Sequence, residues 1–159
     1  MKIRKKLFSA PIALLAILSS CSKEDDREID TEYPEINISA EGYFPKQCSQ
    51  LKRGDTFVFS ALFTDNQELG SSSIDIHHNF DHHTHSTEVQ ECNLDLQKHP
   101  VNPFLFIQNY DIPTGLTTYE IRETVSIPED IDPGDYHFMI RLTDKEGWQT
   151  IKGLSIKII

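Results

Sequence analysis

A cluster of histidines between residues 74 and 86 is the part of this sequence best suited to chemistry. The segment reads IDIHHNFDHHTHS and contains five of the chain's seven histidines. Neutral imidazole is a preferred ligand of zinc, copper(II) and nickel, whereas calcium and magnesium prefer oxygen. The segment therefore indicates a transition-metal site. Two other interpretations stay open, a solvated polar loop and a hydrogen-bonded structural network.

The histidine cluster begins on a predicted β-strand. Isoleucines alternate with Asp75 and His77 in the segment Ser73–His78, which places the isoleucines in the core and the two polar side chains outside. Apolar residues alternate in the same way in the segment Asp135–Thr143, where His137 faces outward. Each of these two strands therefore offers one outward histidine.

The chain after its N-terminal part has the pattern of an all-β domain. Turn residues recur at short intervals, apolar residues alternate, and no amphipathic helix is evident. Seven strands in about 125 residues are typical of an immunoglobulin-like antiparallel β-sandwich, and Tyr136 resembles the corner tyrosine of that fold. The predicted strands are Glu35–Ser39, Thr56–Thr64, Ser73–His78, Phe104–Asn109, Tyr119–Ile127, Asp135–Thr143 and Gln149–Ile158.

Immunoglobulin-like topology brings the two histidine-bearing strands together. They are antiparallel neighbours in that fold, with the end of the first beside the start of the second. His77 and His137 should therefore meet on one outer face, with Cβ atoms about 5 Å apart. The loop after the first strand supplies more ligands. We expect a zinc or copper ion bound by His77, His83, His85 and His137, with Asp81 as a further group and His78 as the substitute for His77 if a β-bulge exchanges their faces.

Several other polar residues have ordinary structural explanations. His82 and His99 are expected on the solvent-exposed surface. Asp65 and Asp144 end two strands at the same pole of the sandwich. A turn-stabilising role is expected for both aspartates, with calcium binding between them as the alternative.

The chain contains three cysteines, and their positions suggest two different roles. Cys21 follows an export signal and is the expected site of lipidation. Cys48 and Cys92 then remain in an oxidising compartment, and we expect them to form a disulfide that ties the loop after the histidines to the sandwich. Thiolate metal ligands are the alternative, although metal-binding cysteines usually come in close-spaced pairs.

The N-terminus has the pattern of a secretory signal. Lysines and an arginine precede an apolar run from Ile12 to Leu18 that is too short to span a membrane. The sequence from Leu18 to Cys21 resembles the lipobox of bacterial lipoproteins. SKEDD, at residues 22–26, resembles the acidic tag that exports Bacteroidota lipoproteins to the cell surface. The predicted division is a signal peptide at 1–20, a lipidated cysteine with an acidic linker at 21–32, and the sandwich at 33–159.

The order of short motifs from Tyr33 onward resembles that of one family. The motifs are PEI at residues 34–36, IHHNFDHHTH at 76–85, PGDYH at 133–137 and TDKEG at 143–147. They resemble an uncharacterised, histidine-rich family of Bacteroidota lipoproteins, a domain of unknown function. The resemblance covers nearly all of the mature chain and implies no activity.

Charge and motifs exclude several classes of function. Without residues 1–20 the chain has 11 basic and 25 acidic residues, a formal charge of −14. Nucleic acid is therefore not an expected partner. Nucleophile elbows, phosphate-binding loops and paired glycosidase carboxylates are missing from the sequence, so no enzymatic activity is predicted.

Two functions fit these observations. In the first, a lipid-anchored protein on the outer membrane, exposed at the cell surface, captures zinc, copper or a metal chelate. It then passes the metal to a TonB-dependent outer-membrane receptor. In the second, the sandwich is an adhesion or glycan-binding module whose histidines bind no functional metal.

Overall fold

A computed structural model of the protein describes residues 29–159. The predicted signal peptide, the lipidation site Cys21 and the acidic tag lie outside the described residues. Within residues 29–159 there is no helix, and none therefore that is long and apolar enough to cross a membrane. The eight strands are β1 (Glu35–Asn37), β2 (Ser49–Leu51), β3 (Thr56–Thr64), β4 (Leu69–His78), β5 (Phe106–Asp111), β6 (Thr118–Ser126), β7 (Gly134–Asp144) and β8 (Gln149–Ile158).

The strands form two sheets, which confirms the predicted immunoglobulin-like β-sandwich. One sheet has the order β1-β3-β6 and the other has the order β2-β8-β7-β4-β5. All pairs are antiparallel except β2 with β8, which run parallel. Strand β2 was not predicted, because its sequence, SQL, contains a single apolar residue and shows no alternation.

Alternating apolar side chains of both sheets build the core, as the sequence predicts. Phe59 and Phe63 of β3 and Phe138 and Ile140 of β7 are fully buried. The rings of Phe59 and Phe138 lie 5.3 Å apart across the two sheets. Strand β7 therefore has one face in the core, and its other face, which carries His137, points away from it.

Tyr136 forms the predicted tyrosine corner. Its hydroxyl donates to the carbonyl of Asp132 at 2.6 Å and accepts the backbone N–H of Phe104 at 3.1 Å. The side chain is fully buried, so both hydrogen bonds are shielded from water. Because Phe104 uses its N–H in this way, strand β5 begins at Phe106 and ends at Asp111, two residues later than predicted.

Strand β4 begins at Leu69, four residues before the predicted start at Ser73. The polar run before Ser73 suggested a turn, but it pairs with β7 through an irregularity between Leu69 and Ser71. A Cβ on Gly70 would lie 2.5 Å from the carbonyl oxygen of Asp144. Glycine at this position therefore allows the two backbones to come close.

A long connection without regular structure links β4 to β5 and covers the outer face of β7 and β8. It spans residues 79–105. At its start, the N–H of Asn79 donates to the carbonyl of Asp135 at 2.8 Å. Further along, the N–H of Thr87 donates to the carbonyl of Gly153 at 2.9 Å. We call residues 79–98 of this connection the histidine loop. Connections of this length without regular structure often serve a function.

Candidate metal centre

The centre begins where strands β4 and β7 pair. His77 lies directly opposite His137 in the antiparallel register, and their rings are 5.5 Å apart. The predicted meeting of these two histidines is therefore present in the structure. The histidine loop changes the environment of His137 in a way that the sequence did not reveal. His137 faces away from the core as expected, yet it is 1% exposed, because the histidine loop covers it.

The histidine loop adds two imidazoles to this pair. The ring of His83 is 5.6 Å from that of His77 and 4.9 Å from that of His137. The ring of His85 is 5.6 Å from His77, 5.2 Å from His137 and 4.9 Å from His83. The four rings therefore form one compact group.

Three of these side chains place ligand nitrogens close together. One ring nitrogen from each of His77, His83 and His85 lies within 4.8 Å of the other two. Two nitrogens bound to one zinc ion at about 2.1 Å are at most about 4.2 Å apart. Small side-chain rotations therefore bring this set to binding distance. Within residues 29–159 these three histidines are one of two groups with such spacing.

Two aspartates orient two of the imidazoles. The Nδ1 atom of His77 is 2.8 Å from Oδ1 of Asp75, and Nδ1 of His83 is 2.5 Å from Oδ1 of Asp81. In each pair Nδ1 donates to the carboxylate, which leaves Nε2 as the nitrogen with a free lone pair. Carboxylates that hold metal-binding histidines in this way are typical of metal sites.

Asp75 was not among the predicted site residues, although the sequence holds a signal for it. The spacing Asp-x-His occurs three times in the sequence, and two of these pairs, Asp75 with His77 and Asp81 with His83, form the hydrogen bond. Asp81 itself was predicted as a further ligand. Its carboxylate lies outside the group of close ligand atoms and bonds to His83 instead. That hydrogen bond is the largest cause of a lowered pKa for Asp81, so its carboxyl is ionised at neutral pH.

His137 has a different hydrogen-bond arrangement. Its Nε2 is 3.0 Å from the carbonyl oxygen of His83, to which it donates. Its Nδ1 then carries a lone pair, is buried, and has no hydrogen-bond partner among the described residues. Burial lowers the pKa of His137 from 6.5 to about 4, and the hydrogen bond to His83 opposes that change in part. The ring is therefore neutral at physiological pH, which is the form that binds a metal.

Contacts with β8 hold the histidine loop in place. The hydroxyl of Thr87 accepts the N–H of Gly153 at 3.1 Å, and Thr87 donates its own N–H to the carbonyl of the same glycine. Gln47 accepts the N–H of Ser155 at 2.8 Å through its side-chain oxygen and donates to the carbonyl of Gln90 at 2.8 Å. The loop is thus fastened at Thr87 and at Gln90, shortly after His85.

A disulfide closes the far end of the loop. Cys48 and Cys92 are bonded, with Cα atoms 5.4 Å apart. The prediction of this pairing is confirmed. Cys48 also donates its N–H to the carbonyl of Ser155 on β8 at 2.8 Å. The bridge therefore joins the segment after His85 to the edge of the five-stranded sheet.

The structure leaves the other histidines outside the group. His78 lies opposite Tyr136 in the register, and its ring packs on Phe80 at 4.9 Å. The alternation of β4 turns His78 toward the core side, so the predicted substitution for His77 does not occur. His82 is not wholly solvent-facing, since its side chain is 26% exposed and lies 4.0 Å from Asp135. His99 is exposed, as predicted.

Comparison with known proteins assigns the chain to a family. The family model DUF4625, a domain of unknown function, matches residues 19–159. The chain belongs to the DUF4625 family. No curated protein matches this DUF4625 chain. It is similar to a solved structure described as a GspB Siglec domain, with 18% sequence identity and a TM-score of 0.42. That likeness covers 82% of the DUF4625 chain and 59% of the solved chain, so this chain spans less than two thirds of that structure's length.

Proposed function

We propose that this protein binds one transition-metal ion, zinc or copper(II), through His77, His83, His85 and His137. The observation that carries the proposal is the set of three ring nitrogens within 4.8 Å of one another. Two of these rings are held by carboxylates at Nδ1, which leaves Nε2 as the nitrogen free to bind an ion. His137 lies outside this set of close nitrogens, and its Nδ1 becomes the fourth ligand if the ring turns toward the ion, since four nitrogen ligands suit zinc in tetrahedral geometry.

Hydrogen bonding alone is a poorer explanation of this group. A structural network of histidines should pair its buried nitrogens, because an unpaired buried polar atom costs about 1–3 kcal/mol. Nδ1 of His137 has no such pair within residues 29–159. A metal ion at the centre satisfies the free nitrogens of His77 and His83, and also Nδ1 of His137 once that ring turns toward the ion.

The exposure of the site favours an ion that enters and leaves. His85 is exposed and His83 is partly exposed, while His137 forms the buried floor. One side of the ion therefore faces solvent or a partner. The formal charge of −10 for the whole chain also raises the local concentration of cations. Capture and transfer of a metal, or of a metal chelate, fits this geometry better than a closed structural site does.

The cellular setting is part of the same proposal. Cys21 is lipidated and anchors the protein to the outer membrane, with the domain exposed at the cell surface. The metal then passes to an outer-membrane receptor of the TonB-dependent class. The lipobox at Leu18 to Cys21 and the acidic residues 22–26 support the anchor and its location. Nucleic acid has no part in this function, and no catalysis is proposed.

Isothermal titration of the full-length protein in detergent tests metal binding. Zinc and copper(II) should each bind at about one ion per chain, with a Kd well below about 100 μM, which corresponds to about −5.5 kcal/mol. His99→Ala, which removes an exposed histidine outside the group, should bind like the wild type. Wild-type protein that binds neither ion below that concentration would contradict the proposal.

Labelling of cells tests the anchor separately. Palmitate should label the wild-type protein and not Cys21→Ala. Protease added to intact cells should remove the domain if it lies on the cell surface. Full protection would place the domain on the periplasmic side of the outer membrane. A neighbouring gene for a TonB-dependent receptor under metal-repressed control would support transfer, whereas neighbouring glycoside hydrolases would favour glycan binding.

A further inference from the structure

A group of carboxylates at the opposite pole of the sandwich has unsatisfied atoms that the histidine site does not explain. One carboxylate oxygen from each of Asp30, Asp144 and Glu146 lies within 4.8 Å of the other two. Asp144 is seven residues along β7 from His137, which separates the two groups by about 23 Å. The carboxylate group is therefore independent of the metal centre described above.

The two buried members of the group each use only one oxygen. Oδ1 of Asp144 accepts the N–H groups of Gly147 at 2.6 Å and Trp148 at 2.8 Å, which is the turn-stabilising role predicted for it. Oδ1 of Asp30 accepts the N–H of Glu32 at 3.0 Å and the side-chain amide of Asn66 at 2.9 Å.

The second oxygens of these aspartates point to a missing partner. Asp30 is 3% exposed and Asp144 is 4% exposed. Their Oδ2 atoms are buried and have no hydrogen-bond partner anywhere in residues 29–159. The nearby Lys145 pairs with Glu68 at 3.8 Å. Two buried carboxylates with oxygens within 4.8 Å of each other repel strongly unless a cation or a proton lies between them.

The hydrogen bonds that Asp30 accepts favour a cation over a proton. The hydrogen bond from the N–H of Glu32, followed by that from Asn66, lowers the pKa of Asp30 below its ordinary value. The third carboxylate, from the exposed Glu146, adds negative charge at the open side of the group.

We infer that Asp30, Asp144 and Glu146 form a calcium site that fastens residues 29–33 to the β7–β8 turn. Ligands that are all oxygen suit a hard cation, and calcium accepts irregular geometry and completes its six to eight ligands with water or carbonyl oxygens. Magnesium demands a nearly ideal octahedron, which one exposed and two buried carboxylates from separate segments do not provide.

The contacts around the group show what calcium would hold in place. The indole N–H of Trp148 donates to the carbonyl of Asp30 at 2.9 Å, and the ring of Tyr33 packs edge-on against Trp148 at 5.0 Å. The segment before β1 is thereby attached to the turn that carries two of the three carboxylates. Calcium would strengthen this attachment.

Thermal unfolding of the full-length protein in detergent tests the inference. The protein is first stripped of metal, and about 5 mM calcium is compared with magnesium at equal ionic strength. Extracellular calcium sites have Kd values of about 10⁻⁴ to 10⁻³ M, so calcium should raise Tm by about 4 °C. Magnesium should have a much smaller effect. Trp148 is the only tryptophan in the sequence, so its fluorescence should change over the same calcium range.

Matched variants assign the effect to the site. Asp144→Asn keeps an oxygen for the amides of Gly147 and Trp148 and removes one of the facing charges. It should melt no lower than the wild type without calcium and should lose the calcium shift. Glu146→Gln, at an exposed position that is not needed for folding, should weaken calcium binding at least about fivefold. Glu129→Gln, at the other pole, should respond like the wild type.

The histidine site provides the remaining control. His83→Ala should lose affinity for zinc and keep the full calcium shift, so the two metal proposals succeed or fail separately. An unchanged Tm and unchanged tryptophan fluorescence in calcium would overturn the calcium site. A Tm that rises in mild acid but not in calcium would also overturn the calcium site. A proton shared by the two aspartates would then take the place of the cation.

Discussion

The backbone of Gly153 on β8 touches the backbone of His85 in the histidine loop. A Cβ on this glycine would lie 1.9 Å from the carbonyl oxygen of His85. No side chain fits in that space, so any other residue at position 153 must displace the loop. A glycine inside a β-strand thus determines where a metal ligand lies.

Gly153→Ala should therefore weaken zinc binding by about tenfold or more, because His85 moves away from His77 and His83. Isothermal titration measures the change, and circular dichroism checks that the sandwich is retained. Gln149→Ala is the matched control, since it lies on the same face of β8 and is exposed. Equal affinities in the two variants would show that His85 is not a ligand.

Truncation of His137 tests the buried side of the centre. His137→Ala should lower zinc affinity by about 100-fold, as strongly as His83→Ala, because each removes one imidazole from a set that the fold holds in place. His99→Ala should have no effect. If His137→Ala binds zinc like the wild type while His83→Ala does not, the histidine loop binds metal without the strands.

Removal of Asp75 tests orientation by a residue that does not touch the metal. Asp75→Ala leaves all four imidazoles and frees Nδ1 of His77, so zinc affinity should fall by about 10- to 100-fold. Asp111→Ala, an exposed aspartate at the end of β5, is the control. An unchanged affinity would mean that packing alone holds the ring of His77.

Acid should destabilise the metal-free domain through His137. Its pKa is about 4 in the folded protein and about 6.5 in the unfolded chain, so the unfolded chain binds the proton more readily. The contribution of His137 to stability is therefore complete above pH 6.5 and is lost as the pH falls through 6.5 toward 4, by about 3 kcal/mol in total. Urea unfolding with a chelator present measures this slope. The slope should be smaller in His137→Asn, and an equal slope would assign it to other groups.

Loss of the disulfide should destabilise the protein and loosen the histidine loop. The double variant Cys48→Ser, Cys92→Ser removes the cross-link between residues 44 positions apart. In the chain-entropy model this lowers the free energy of unfolding by about 4 kcal/mol. Urea unfolding measures the loss. Mass spectrometry without reductant should find no free thiol at either position in the wild type, and two free thiols there would contradict the pairing.

Sequence pattern was sufficient for much of the sandwich because its signals are local or topological. The alternation in β3 and β7 identified the core face, and the topology of the fold then placed His77 opposite His137. Cysteine counting identified the Cys48–Cys92 pair. Pattern was insufficient at β2, which has a single apolar residue, and at the start of β4, where a polar run looks like a turn.

What the sequence alone determined about this protein is which residues alternate, and so which histidines face away from the core. Alternation has a period of two residues and follows from the geometry of a strand. Only the tertiary structure decided that the histidine loop covers His137, that Asp75 and Asp81 orient their histidines, and that Asp30 meets Asp144. The path of the loop depends on contacts with Gly153 and Ser155, more than sixty residues away in the chain, and no local period encodes such contacts.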